Sequence, residues 1–310
     1  DSSLIRADVS WESLTTRHAE QVLEQNKDPE NSEDDGPGSG KGGRPRSKSP
    51  KQKRYSTTDP DATMTTNNRA WRMEPSYKQH TAVDDQAGVV LDVLLTTGEV
   101  SEGKQLPEQL ERIERLTGVG IKTATADAGY AHSANYRALE ERGVDAVIPP
   151  QARPETPRHI PARRFKYDAK HEVLRCPGGK KLHRKGRSLR PSGWLYRARQ
   201  GDCSTCPLRA HCLPPTAKVR TMVIVDGYEA LLRARRRKHK GWDEQTRELY
   251  SRHRWRVEGA HGEAKTRHGL HRAARRGLDN VAVQVYMTAA VMNLKRLAKA
   301  ALLQLFLYTK

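Results

Sequence analysis

Between positions 77 and 150 the apolar residues repeatedly change their spacing, and each change calls for a different local structure. Thr81 and Val83 lead into the turn sequence DDQAG, after which Val89, Leu91, Val93 and Leu95 recur at period two. That is the pattern of a β-hairpin with one buried face. Leu106, Leu110, Ile113 and Leu116 then follow at helical spacing as far as Gly118, a short amphipathic helix with its stop signal. VGIKTATADAGY alternates again, as a strand ending at Asp127. Ser133 is expected to cap a helix carrying Tyr136 and Leu139 and stopped by Gly143, and VDAVIPP returns to a strand. The succession of hairpin, helix, strand, helix and strand predicts an α/β fold, a mixed sheet flanked by helices.

The rest of the chain divides by texture. Residues 1–23 begin with DSSLIRADV, which reads as a first strand of the same domain, and residues 59–148 carry the alternating patterns just described. Between them, 24–58 runs from acidic through Gly/Ser-rich to basic with almost nothing apolar to bury, so a disordered linker is expected there. Residues 149–226 shift to Pro, Gly, Arg and Cys with few aliphatics, the texture of an inserted subdomain. In 227–310 the chain is helical by pattern. Its last helix carries Val283, Met287, Ala290, Leu294, Leu297 and Ala301 at alternating steps of four and three, predicting one buried stripe that closes the domain.

The formal net charge is +19 over 310 residues. Excess cation density of that size repels itself unless a polyanion meets it, and nucleic acid is the leading partner. The basic residues recur along the whole chain, as in Arg233 to Lys240, which favours a broad DNA-tracking face over a single tail. The longest apolar stretch, Val281 to Leu307, is interrupted by Gln284, Lys295, Arg296 and Lys299, so neither a membrane span nor secretion is expected. A cytoplasmic, nucleoid-associated protein follows.

Cutting and joining phosphodiesters needs carboxylates gathered from distant positions, because two divalent cations about 4 Å apart must be held around the reacting phosphate. Hard oxygen ligands select magnesium or manganese. Asp127 is suited to this role: the turn ADAGY that follows its strand exposes the carboxylate at the sheet edge, although a turn-forming Asp would look the same. Glu258 lies in RHRWRVEGAHGEAK, where Arg254 four residues before and Lys265 seven after fall on one helix face with it. Such a face could flank a metal-binding carboxylate with phosphate-holding cations, or could be a solvated helix with i,i+4 ion pairs.

DSSLIRADVSW, TADAGYAHSANY, YSRHRWRVEGAHGEAKTRHG and RRGLDNVAVQVYMTAAVMNLKRLA, taken together and in order, resemble bacterial insertion-sequence transposases of the DDE class, in the Tyr-Arg-Glu-Lys signature group. The resemblance spans nearly the whole chain outside the linker. It implies a ribonuclease-H-like catalytic fold with a cysteine-bearing insertion, and metal-dependent strand cleavage and strand transfer. It makes Asp1, Asp127 and Glu258 the catalytic, metal-binding carboxylates, with two magnesium or manganese ions. Double-stranded DNA, both element ends and target, is the implied partner, held by a homodimer. Arg254 and Lys265 match the signature's cations; its tyrosine position is occupied by Ser251, with Tyr250 one residue early as the DNA contact. Because Asp1 is not an initiator methionine, an N-terminally truncated chain is expected. Asp59 and Asp61 in STTDPDATM compete with Asp1 for the first position, but TDPDA reads as a turn while LIRADV continues as a strand.

Cys176, Cys203, Cys206 and Cys212 all fall in the inserted region, with C-x-x-C at the centre and His211 as a substitute ligand. Structural zinc, free structural thiols and disulfides are the three readings, zinc first. Trp194, Trp242 and Trp255 stand among basic residues, where an indole could stack on an extruded base or simply pack. His261 and His268 lie near Glu258 and receive no role. Two rivals to the transposase remain: a DNA-binding remnant without catalysis, and a ribonuclease-H-fold nuclease with no joining step.

Overall fold

The expected hairpin forms, but a register shift between Ala82 and Val83 goes with burial of Val90 and Leu95 rather than of the whole alternating set Val89, Leu91, Val93 and Leu95. In the structure, a computed structural model describing residues 1–17, 53–67, 72–151, 159–189 and 191–308, strands β5 (Arg72–Val83) and β6 (Val90–Thr97) pair antiparallel. Strand β1 (Ser2–Arg6) also pairs antiparallel with β5, with Ser2 opposite His80. Strands β2 (Leu14–Arg17), β3 (Lys53–Ser56) and β4 (Thr63–Asn67) extend this into a six-stranded sheet. Most of the expected linker, up to residue 52, lies outside the described residues; its last part, Lys53–Ser56, is β3.

The chain forms two units, Asp1–Glu102 with Arg254–Lys310, and Gly103–His253. In the first, helix α6 (Glu244–Arg267, from Arg254 onward) and helix α7 (Leu278–Tyr308) cover the six-stranded sheet. Ile5, Tyr77, Val90 and Leu95 from the strands meet Ala260, Ala264, Val281, Val285 and Met292 from the helices. The start of β6 is tied to α7 by Asn293, whose amide accepts from the Val90 N–H and donates to its carbonyl, both at 2.8 Å. That contact satisfies both backbone groups of one residue at the strand end.

The Asp pair of TDPDA belongs to this packing. Asp59 is 1% exposed; its Oδ1 accepts from the Tyr77 hydroxyl at 2.5 Å and from the Gly277 N–H at 3.2 Å. Asp61 Oδ2 accepts from the Leu278 N–H at 2.9 Å. Both carboxylates thus face the N-terminus of α7, where backbone N–H groups lack helical partners and the helix dipole favours negative charge.

In the second unit, β7 (Thr123–Thr125) and β8 (Asp145–Val147) make a parallel pair joined through α2 (Ser133–Glu141). Helices α1 (Leu106–Thr117), α2 and α5 (Tyr228–Lys240) enclose a core built from Leu110, Tyr130, Tyr136, Leu139, Ile148 and Leu231. The cap of α2 differs from expectation. His132, extended at φ −89° and ψ 142°, is the last non-helical residue and Ser133 is already in the first turn, so the serine cannot act as the N-cap. The Pro/Gly/Arg/Cys-rich stretch folds as a five-stranded antiparallel sheet, in the order β13 (Thr221–Val225), β12 (Ser192–Ala198), β11 (Lys181–Leu189), β10 (Val173–Arg175), β9 (Lys166–Asp168). Short helices α3 (Gln200–Ser204) and α4 (Arg209–Cys212) lie between β12 and β13.

The stripe expected to bury α7 is the wrong one. Val283, Met287, Leu294 and Leu297 are 56%, 61%, 62% and 67% exposed, while Val281, Val285, Thr288 and Met292 are buried. The helix is apolar on more than one face, so spacing alone could not choose which face meets the sheet.

Candidate catalytic carboxylates and cysteine cluster

Asp1 stands immediately before β1, and β5 holds it in place. The Thr81 N–H donates to the Asp1 carbonyl at 2.8 Å, and the Asp1 carboxylate accepts from the Ser2 N–H at 2.7 Å. Beyond the hairpin the chain turns at Glu102, whose carboxylate lies within 4.8 Å of that of Asp1 and 3.8 Å from the Lys78 ammonium. Two half-buried carboxylates this close repel each other unless a cation lies between or beside them. Their hard oxygen donors fit a divalent metal ion. Glu102 escaped sequence reasoning because TTGEVSEGK gives it no periodicity and no motif; only the return of the hairpin brings it beside Asp1.

Glu258 lies on α6 in the same unit. One turn later His261 is buried, and its Nε2 is 3.0 Å from the Thr81 hydroxyl, so one β5 residue holds both the Asp1 backbone and the helix that carries Glu258. The Glu258 side chain itself is 62% exposed, pairs with Arg254 at 3.7 Å, and does not join Asp1 and Glu102 within 4.8 Å. Arg254, Glu258 and Lys265 share a helix face, as their spacing predicts. Burial, reinforced by nearby positive charge including Lys265, pushes the His261 pKa down to about 3. The ring is therefore neutral.

Asp127 lies in the second unit, two residues beyond β7. Its Oδ1 accepts from the Gly129 N–H at 2.8 Å and caps the short 3-10 turn Ala128–Tyr130. The cap fixes the carboxylate's direction and leaves the residue half-buried. Tyr250 packs edge-on against Trp242, ring centroids 5.1 Å apart, and Lys238 lies over the Trp242 ring at 3.7 Å. Trp194 has Arg184 and Arg187 over its ring at 4.3 and 5.2 Å, and Trp255, more than half exposed, has Arg256 at 4.4 Å. His268 is 3.1 Å from the Lys295 ammonium.

The four cysteines are free and half-buried, and Cys176, Cys203 and Cys212 pack against the core of the five-stranded sheet. A tight turn follows Cys176, whose carbonyl accepts from the Gly179 N–H at 2.9 Å. Gly178 borders two of the thiols: a Cβ there would lie in ordinary contact with them, 3.5 Å from Cys206 Sγ and 3.7 Å from Cys176 Sγ. Burial pushes the Cys212 thiol up, and Cys203, Cys176 and Cys206 all lie close enough to add to the shift. Arg209 donates to the Cys203 and Ala217 carbonyls and Arg220 to those of Cys212 and Ile160, so guanidinium groups brace the backbone of these loops. Among the described residues, no three of the sulphurs lie within 4.8 Å of one another.

A strongly basic α/β protein with paired carboxylates is equipped to act on a polyanion. Residues 45–294 match the family described as transposase DDE domain, and the chain belongs to that family. Its general function is accordingly that of a transposase, an enzyme whose substrate is DNA. The match includes Asp127 and Glu258 and begins after Asp1. No curated protein and no solved structure matches the chain. Among the described residues, no helix is long and apolar enough to cross a membrane.

Proposed function

We propose that this protein cuts an insertion sequence from DNA and joins it to a target, using Asp1, Asp127 and Glu258 as its metal-holding carboxylates. The observation that carries the reading is the family match over residues 45–294, and it is supported by Asp127, held two residues beyond a strand by its turn cap, and by Glu258, on a helix face between two cations. The carboxylate pair of Asp1 and Glu102 supports a divalent cation beside Asp1 and adds Glu102 as a further ligand. Magnesium or manganese bound there would activate the attacking oxygen and stabilise the leaving one. Arg254 and Lys265 hold the flanking phosphates, with Tyr250 as a further DNA contact. In the first step water bonds to phosphorus as the P–O3′ bond breaks, freeing a 3′-hydroxyl. In the second, that hydroxyl bonds to a target phosphorus, displaces its 3′-oxygen and gives up its proton. The ribonuclease-H-like arrangement and a dimer on DNA belong to the same reading.

The deciding experiment compares Glu258→Gln and Asp127→Asn with the parent protein for cleavage, strand transfer and DNA affinity. Loss of both reactions with affinity nearly intact supports the assignment. Retained cleavage by Glu258→Gln would refute it, cleavage without joining would identify a nuclease, and DNA binding without either reaction by the parent would identify a remnant.

We infer as well that Cys176, Cys203, Cys206 and Cys212 hold a structural zinc. The support is chemical: four soft ligands around one small sheet, two of them flanking the bare Cα of Gly178. Rotation of the side chains is needed to close the site.

A further inference from the structure

Asn135 is 3% exposed, on a helix, α2, whose other buried side chains are Tyr136 and Leu139. An amide is costly in such surroundings unless its polar atoms are matched, and asparagine is a poor helix former besides. Its side-chain nitrogen accounts for its presence. Nδ2 donates to the Gly103 carbonyl at 2.8 Å and to the Tyr130 carbonyl at 2.9 Å. Both partners only accept, so the nitrogen end of the amide faces them and gives one proton to each.

The two carbonyls belong to segments next to proposed metal ligands. Tyr130 closes the 3-10 turn that the Asp127 carboxylate caps, and its N–H donates to the Asp127 carbonyl at 3.2 Å. Its own carbonyl also accepts from the His132 N–H at 2.7 Å. The exposed Gln151 amide adds a bond to the Ala128 carbonyl at 2.7 Å; Asn135 supplies the buried one. Gly103 directly follows Glu102 in the chain. A Cβ on it would lie 2.0 Å from Cδ2 of the His132 ring, and the lack of a side chain lets this segment run against the start of α2. The helix is itself fixed, since the Tyr136 hydroxyl donates to the Ile148 carbonyl at 2.9 Å, just past β8. All of these contacts lie within the unit Gly103–His253.

We propose that Asn135 is a positioning residue for Asp127: from one buried nitrogen it fixes the turn that aims this carboxylate and ties that turn to the backbone following Glu102. The inference rests on the reading of Asp127 as a metal ligand. With Oδ1 held by the Gly129 N–H, the direction in which the carboxylate meets a cation is set by the backbone of the turn, and Asn135 holds that backbone from the core. Groups of this kind orient a ligand without touching the metal, and their loss weakens binding about 10- to 100-fold. A leucine at this position would fill similar space and deprive both carbonyls of their donor.

Titration of the full chain with Mn2+, followed by electron paramagnetic resonance without DNA, tests it. Asn135→Leu should bind Mn2+ about tenfold more weakly than the parent. Asp127→Asn, which removes the ligand outright, sets the loss for comparison. Leu231→Ala thins the same core and breaks no side-chain hydrogen bond, so it should keep the parent's Mn2+ affinity although it is less stable. Amide hydrogen exchange needs no metal: Tyr130 and His132 should exchange about tenfold faster in Asn135→Leu. Should Asn135→Leu fail to fold, Asn135→Ser, with one donor on a shorter side chain, makes the same test. Parental Mn2+ affinity in Asn135→Leu beside a loss in Asp127→Asn would overturn the inference and leave the reading of Asp127 standing, as would turn amides that stay protected. Parental affinity in both variants would overturn the two together.

Discussion

The Thr81 hydroxyl lies 3.0 Å from His261 Nε2 and also accepts a hydrogen bond from the Gln79 amide at 3.0 Å, so the threonine links the central strand to helix α6 inside the core. The neutral His261 ring shares this hydrogen bond with the hydroxyl, which has one proton to give and a second lone pair to accept with. Thr81→Val would leave two buried polar groups without a partner. A loss of about 1–3 kcal/mol for the orphaned groups is expected from urea unfolding.

The same contact sets an acid limit on stability. The His261 pKa is lowered by burial from 6.5 to about 3, so between those values the unfolded chain takes up a proton that the folded chain refuses. Its contribution is intact above pH 6.5 and is progressively lost as pH falls toward 3. The slope approaches about 1.4 kcal/mol per pH unit. His261→Gln should flatten the dependence of the urea midpoint on pH across that range; an unchanged slope would place the acid sensitivity elsewhere.

Asp59 is a structural carboxylate, and its substitution should separate stability from chemistry. Asp59→Ala removes the acceptor for the Tyr77 hydroxyl and the Gly277 N–H, both inside the packed base of α7. The thermal midpoint should drop by an amount equivalent to about 2–4 kcal/mol. The folded fraction at low temperature should still cut DNA, which a catalytic aspartate would not allow.

Glycine is required at position 227. Its φ is +74°, and a Cβ there would lie 2.4 Å from the Ser133 carbonyl oxygen, where α5 starts against α2. Gly227→Ala combines a left-handed backbone with a backbone clash, and a destabilisation of more than about 1 kcal/mol is expected in chemical denaturation.

Zinc is tested directly. Freshly purified, reduced protein should contain one zinc per chain by elemental analysis, and Cys206→Ala should lose the metal and lower the thermal midpoint. Metal-free protein from a zinc-supplemented preparation would mean that the thiols are structural only.

Much of the architecture was legible in advance because it is local. Period two at Val89–Leu95 made a strand, helical spacing at Leu106–Ile113 made a helix, and Gly118 and Gly143, at φ +66° and +69°, stopped helices where left-handed backbone was needed. The five-stranded sheet was not legible. Three-residue strands such as Lys166–Asp168 and Val173–Arg175 carry too few apolar residues to show alternation, and their partners are distant in sequence.

The sequence by itself determined the chemical type of this protein: its positive charge, the carboxylate types available, the motif order that marks the family, and the four thiols. Tertiary structure alone decided which of those groups meet. It put Glu102 beside Asp1, seated Asp59 and Asp61 against the start of α7, and turned the 3.5-residue stripe of α7 outward. The reason is that periodicity records which residues share a face, whereas the choice of face, and of the carboxylate that arrives next to another, depends on long-range packing against segments that no local pattern encodes.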